Sequence, residues 1–228
     1  FRHYNLHMKD LTKDLWSQYS SELMTMVTRQ YFNKDPSSRG LTYEQLYQYF
    51  KDEYDQIFTK DESFVHAFLY FNDQRKLVGT FMFRDAVEYV KTHQRILEGM
   101  KPSDSFYDYY VQFCLIAEGY FKKFNAKKGD CLYGTNLAFS EELLKSMGSP
   151  QNVLNLILAC FIDQANWWRE WAEKEKVFPY SMWTQFRKSL ITTTKALFNT
   201  LGDEDFKFVG GDGVLVDGKL FFVTYKKR

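Results

Sequence analysis

The chain has 228 residues and a mass of 27.2 kDa, 45% of them hydrophobic and 19% aromatic, so it is too apolar to be disordered. By size scaling it folds from roughly 39,000 Å² of surface to about 11,000 Å², enough for a core without disulfide or metal staples. Thirty Lys plus Arg balance 29 Asp plus Glu, and a formal charge of +1 lacks the basic excess of a nucleic-acid binder.

The first segment, Arg2–Met8, is short enough for an edge strand. Thr12 is placed to cap a helix, with Leu11 and Trp16 as a hydrophobic staple and Leu15, Tyr19, Leu23 and Met26 on one face. Asn33-Lys34-Asp35-Pro36-Ser37-Ser38 breaks it. Thr42 with Gln45 predicts a capping box and a second helix that buries Leu46, Phe50, Tyr54 and Ile57. Phe64–Phe71 and Leu77–Phe83 read as a hairpin around the polar turn Asn72–Lys76. After a connection, a third helix runs from about Asp104 to Asn125, with Tyr110, Cys114, Ala117, Phe121 and Phe124 inward.

Cys131–Phe139 is apolar on both alternations apart from Thr135 and Asn136, which predicts a central strand. Ser149-Pro150 opens a helix reaching about Lys174, apolar nearly all round at first and therefore buried. Met182–Phe186 is a weak strand, and Leu190–Leu201 a short helix closed by Gly202. Phe206–Val209, Val214–Val216 and Leu220–Tyr225, with the turn Asp217-Gly218, finish the chain as antiparallel strands. No linker or repeat interrupts the sequence, so the expectation is one domain over residues 1–228. The fold class is α/β, a central mixed sheet with helices on both faces.

Cys114, Cys131 and Cys160 are odd in number and each lies in an apolar stretch, as buried cysteines of a reducing compartment do. The four histidines show no zinc spacing, and no metal is expected. The longest apolar run, Val153–Ile162, is about half a membrane span, and no signal-peptide pattern opens the sequence. A cytoplasmic protein without membrane or nucleic-acid partners is the expectation.

The element order, together with Tyr4–Asp14, Leu77-Val78-Gly79-Thr80 and Lys195–Gly202, resembles the GNAT acyltransferase superfamily over nearly the whole chain, and the arylalkylamine-type branch most closely. The resemblance implies a GNAT-like fold in which acyl-CoA, here acetyl-CoA, lies between two diverging parallel strands. The pantetheine arm would bond the backbone of Leu137, Ala138 and Phe139, and the pyrophosphate would sit on Lys145, Gly148 and Ser149 at the following helix start. By the same likeness Asp35, just before Pro36, takes the role of base for a small amine, aided by the hydroxyl of Thr194.

The sequence also departs from the family pattern. Lys145-Ser146-Met147-Gly148-Ser149-Pro150 keeps a cation and the turn glycine, but Pro150 brings no N–H for an anion. Phe198 stands where many members carry a tyrosine four residues before the helix-ending glycine, and Asp203 follows that glycine in place of the usual Phe. Two functions follow. One is an acyl-CoA-dependent N-acetyltransferase acting on a small amine. The other is a catalytically inactive GNAT-fold subunit that meets protein partners through an aromatic surface, for which Asp104–Tyr110 is the candidate; a CoA sensor without turnover lies between. His66 is read as a core or cleft residue, and Trp167, Trp168 and Trp171 as a cap on the core.

Overall fold

The computed structural model describes residues 4–32, 40–59, 66–129, 131–175, 180–187, 206–208 and 219–226. In chain order they form β1 (His7–Asp10), α1 (Lys13–Tyr31), α2 (Tyr43–Thr59), β2 (His66–Phe71), β3 (Leu77–Asp85), α3 (Ala86–Glu98), α4 (Tyr107–Phe124), β4 (Cys131–Phe139), α5 (Glu141–Ser146), α6 (Pro150–Glu175), β5 (Tyr180–Arg187), β6 (Phe206–Phe208) and β7 (Lys219–Lys226). The mixed α/β class expected from the sequence is observed. The chain divides into two compact units, one made of residues 1–83 and 134–159, the other of residues 84–133 and 160–228.

In the first unit the strand order is β1-β2-β3-β4. β1 lies antiparallel on β2 from His7↔Phe71 to Asp10↔Phe68, and β2 pairs antiparallel with β3. Their hairpin closes where the amide of Asn72 donates to the Lys76 carbonyl and that of Lys76 to Asn72 Oδ1, with Arg75 left-handed at φ 60°. Both predicted helix starts are built as expected. The Leu15 amide donates to Thr12 Oγ1, while Thr42 and Gln45 exchange hydrogen bonds of 2.9 and 3.1 Å. Leu23, Met24 and Val27 of α1 join Leu46, Phe50 and Tyr54 of α2, and together they bury Ala67, Leu69 and Phe71 of β2. Trp16 stacks flat on Tyr54 at 5.7 Å and donates its indole N–H to Asp55, which locks α1 to α2.

β3 and β4 are fitted to each other through two glycines. A side chain on Gly79 would collide with the Phe139 ring, and one on Gly134 would meet Cζ of Phe81 at 2.7 Å. Each strand's phenylalanine covers the other strand's glycine, so the absent side chain is what admits the ring.

In the second unit the order is β4-β5-β7-β6. The parallel ladder of β4 and β5 consists of Cys131↔Ser181, Leu132↔Met182 and Tyr133↔Trp183, and β7 lies antiparallel between β5 and β6. Here α3 and α4 pack Val90, Tyr110, Phe113, Cys114 and Ala117 around Cys131 and Tyr133. His93 is buried among these rings, 4.2 Å from Phe113 and with Nδ1 at 3.0 Å from the Tyr89 carbonyl oxygen. All three cysteines are buried and none forms a disulfide.

The structure corrects the reading at four places. The opening strand is His7–Asp10 rather than Arg2–Met8, because its ladder on β2 begins at His7↔Phe71. The connection after β3 is a helix, α3, capped by Asp85, whose two carboxylate oxygens accept the amides of Glu88 (2.9 Å) and Gly129 (2.6 Å). A six-residue helix, α5, follows β4, and α4 starts at Tyr107 rather than Asp104. The expected elements Leu190–Leu201, Val214–Val216 and Asp217-Gly218, the break at Asn33–Ser38 and the strand start at Phe64 lie outside the described residues.

Candidate functional site

The site is built on the second half of β4. Alternation fixes which way its backbone points: the Ser140 amide donates to Val78 of β3, and the Ala138 carbonyl oxygen lies beside Gly79. The backbone groups of Leu137 and Phe139 therefore face away from β3. The Leu137 carbonyl accepts the hydroxyl of Tyr31, the last residue of α1, at 2.8 Å. Tyr31 is half-buried, with its ring 5.8 Å from that of Phe50.

Just before this edge, Asn136 is left-handed at φ 59° inside the strand and is itself buried. Asparagine tolerates that conformation better than other side-chain-bearing residues, and a left-handed residue re-aims the strand that follows it. Its side chain is held on both sides. Oδ1 accepts the Thr135 hydroxyl at 3.0 Å, and Nδ2 donates to the buried carboxylate of Glu53 at 2.5 Å. Glu53 Oε2 is also approached by the Tyr49 hydroxyl at 3.5 Å.

A second polar chain adjoins it. Thr80 donates its only hydroxyl proton to the Phe68 carbonyl at 3.0 Å, so the 3.1 Å contact between Tyr54 and Thr80 has the tyrosine as donor. Burial pushes the Tyr54 phenol well above its ordinary range. The hydrogen bond to Thr80 opposes that rise, the charge of Glu53 adds to it, and a hydrogen bond with Asn136 opposes it again. Tyr54 is thus a neutral hydrogen-bond donor to Thr80.

The turn between α5 and α6 is the candidate anion site. Ser140 caps α5, and Lys145 near its end makes an exposed ion pair with Glu141 at 3.6 Å. Gly148 is left-handed at φ 72°, with open space where a side chain would stand. Several donors here are already committed: Met147 and Gly148 donate back into α5, Asn152 to Ser149 Oγ, and Val153 to the Ser149 carbonyl. Pro150 has no N–H, so among the described residues the amides of Ser149 and Gln151 are the uncommitted donors of the turn. Together with the exposed Lys145, these two amides are the donors that this turn offers.

The structure thus places Leu137, Ala138, Phe139, Lys145, Gly148 and Ser149 in one unit, along the end of β4, the short helix α5 and the turn after it. Asp35 and Thr194 lie outside the described residues. Sequence reasoning missed Glu53, Asn136 and Tyr31. The first two carried a signal: Glu53 sits on the apolar stripe of α2 with Leu46, Phe50 and Tyr54, and Asn136 interrupts an apolar strand. The string Asp104–Tyr110 does not form an exposed aromatic surface, because Tyr109 and Tyr110 are buried and Phe106 and Tyr107 half-buried. Trp168 and Trp171 are buried as expected, with Trp167 stacked on Trp171, and His66 is half-buried. Among the described residues no cluster suits a metal ion and no helix is long and apolar enough to cross a membrane.

No protein-family model and no curated protein matches the chain in sequence. Solved structures do match in shape. An agmatine N-acetyltransferase mutant in its apo form aligns at a TM-score of 0.51 and 10% identity, covering 97% of this chain and 99% of that one. An N-acyl amino acid synthase from uncultured soil microbes aligns at 0.43 and 12% identity, over 97% and 90% of the two chains. A spermidine N-acetyltransferase mutant from Vibrio cholerae aligns at 0.44 and 9% identity, over 97% and 92%. With the strand order and the helices that cover it, the alignment to the agmatine enzyme leads to one conclusion: this chain has the fold of the GNAT N-acetyltransferases.

Proposed function

We propose that the chain is an acyl-CoA-dependent N-acetyltransferase that moves an acetyl group from acetyl-CoA to a small amine. The observation that carries this reading is β4: a left-handed Asn136, anchored by buried Glu53, precedes an edge at Leu137–Phe139 that leads into the open Gly148 turn. In this reading Leu137–Phe139 would hold the pantetheine arm, while Lys145 and the amides of Ser149 and Gln151 would hold one phosphate. When bound, the thioester supplies the activated acyl group. Glu53 and Asn136 are positioning residues: their hydrogen bond fixes the strand that presents the edge. Asp35 is the proposed base for the acceptor ammonium, and Thr194 a hydroxyl beside it.

Calorimetric titration of acetyl-CoA into the full chain tests the reading. Binding in the micromolar range is expected, with loss on Gly148→Asp, which adds a negative charge to the open turn. Asp35→Ala should keep binding and lose acetyl transfer to a panel of small amines. Absence of binding at millimolar acetyl-CoA rejects the enzyme reading and leaves the inactive GNAT-fold subunit.

A further inference from the structure

The Tyr31 hydroxyl occupies a particular place. Its oxygen stands 2.8 Å from the Leu137 carbonyl oxygen, the separation at which an amide donor of a paired strand would stand. It does so on the edge of β4 that faces away from β3, where an added extended segment would find its backbone partners. Contact with the Phe50 ring helps hold the phenol there. The edge carbonyl therefore already accepts a hydrogen bond from the chain itself, and an incoming amide competes with that hydroxyl for the oxygen.

We propose that Tyr31 is an autoinhibitory occupant of the donor edge, a side-chain stand-in for the amide of an extended acyl carrier arm that must swing out before the arm can bind. The inference rests on the acyltransferase reading and adds to it a built-in competitor. Binding exchanges one hydrogen bond for another and also moves a half-buried ring, so affinity is lower than an open edge would give. A single intramolecular hydrogen bond of ordinary strength corresponds to about two- to tenfold in affinity.

The test compares wild type with Tyr31→Phe, using CoA and pantetheine as separate probes. Phenylalanine keeps the ring against Phe50 and removes the hydroxyl, and a thermal melt verifies that the variant is folded. Tyr31→Phe is expected to tighten both probes by the same two- to tenfold, because the arm is common to them. Carbon-13 labelling of the tyrosines gives a second readout: the resonance missing from Tyr31→Phe is that of Tyr31, and it should move when CoA is added to wild type. Equal or weaker binding by Tyr31→Phe, or binding of CoA with the Tyr31 resonance unmoved, overturns the proposal. If neither protein binds CoA or pantetheine at millimolar concentration, the acyltransferase reading itself has failed.

Discussion

Replacing Asp85 should be among the costliest single changes in the described part of the second unit. Its carboxylate bridges two backbone amides 41 residues apart in sequence, Glu88 in the first turn of α3 and Gly129 just before β4. Asp85→Ala removes a helix cap, worth about 1 kcal/mol, and orphans the buried Gly129 amide, at about 1–3 kcal/mol. Relief of the buried charge offsets part of this, and a net loss of about 2–3 kcal/mol in urea unfolding is expected. Asp85→Asn is the sharper variant: one of its two terminal atoms is an NH2, so one backbone amide must face a donor, and it should recover little of the loss.

The pH dependence has a definite sign. Burial raises the Asp85 carboxyl above its ordinary value against the pull of its two amide donors, so below neutral pH the folded state takes up its proton before the unfolded state does. This group's contribution to stability therefore rises as pH falls through the folded value, and the gap between wild type and Asp85→Ala should widen from pH 7 towards pH 4. A loss under 1 kcal/mol, full rescue by asparagine, or a gap that narrows with acid would refute the reasoning.

Gly134→Ala places a methyl 2.7 Å from the buried Phe81 ring and should cost about 1–3 kcal/mol in the same assay, and Gly79→Ala, against the Phe139 ring and the Ala138 carbonyl, a similar amount. Thr80→Val keeps the shape but removes the acceptor of the Tyr54 hydroxyl and one of the donors to the Phe68 carbonyl. A loss of about 1–3 kcal/mol with most of it restored by Thr80→Ser is expected from thermal or urea melts. Burial, with the nearby charge of Glu118, pushes the Cys114 thiol up to about 11, so at pH 8 only about one molecule in a thousand carries the thiolate. Thiol titration of the folded chain should show little reaction until denaturant is added, and rapid labelling of Cys114 in native buffer would contradict the packing.

Local signals were legible wherever the deciding chemistry lies within a few residues. Thr12, the Thr42–Gln45 pair and Ser149-Pro150 mark helix starts because the amides they satisfy, or render unnecessary, are their sequence neighbours. The double-sided apolar run Cys131–Phe139 likewise gave β4 its full length. α3 escaped notice because it leaves β3 with no turn between them and carries Val87, Val90, Thr92 and Ile96, β-branched residues that favour strands. Its signals were nevertheless present in the Asp85 cap, the closing Gly99 and the spacing of Ala86, Val90, His93 and Leu97. α5 is too short to show a period. The polar contacts of the site could not be paired in advance: Glu53 meets Asn136 across 83 residues and Tyr31 meets Leu137 across 106, separations that only the folded strand order closes.

The interleaving of the two units has a consequence during synthesis. Everything the first unit takes from residues 1–83 leaves the ribosome before residues 84–133, and the strand that covers β3 arrives only after them. At about 5–20 residues per second, that delay is roughly 3–10 s. Throughout it the nascent hairpin presents a bare, phenylalanine-rich margin, the kind of surface that recruits chaperones or pairs with neighbouring nascent chains. A fragment cut at residue 83 would keep that margin permanently and should be caught in aggregates, and adding residues 134–159 back through a short linker is the natural way to make it soluble.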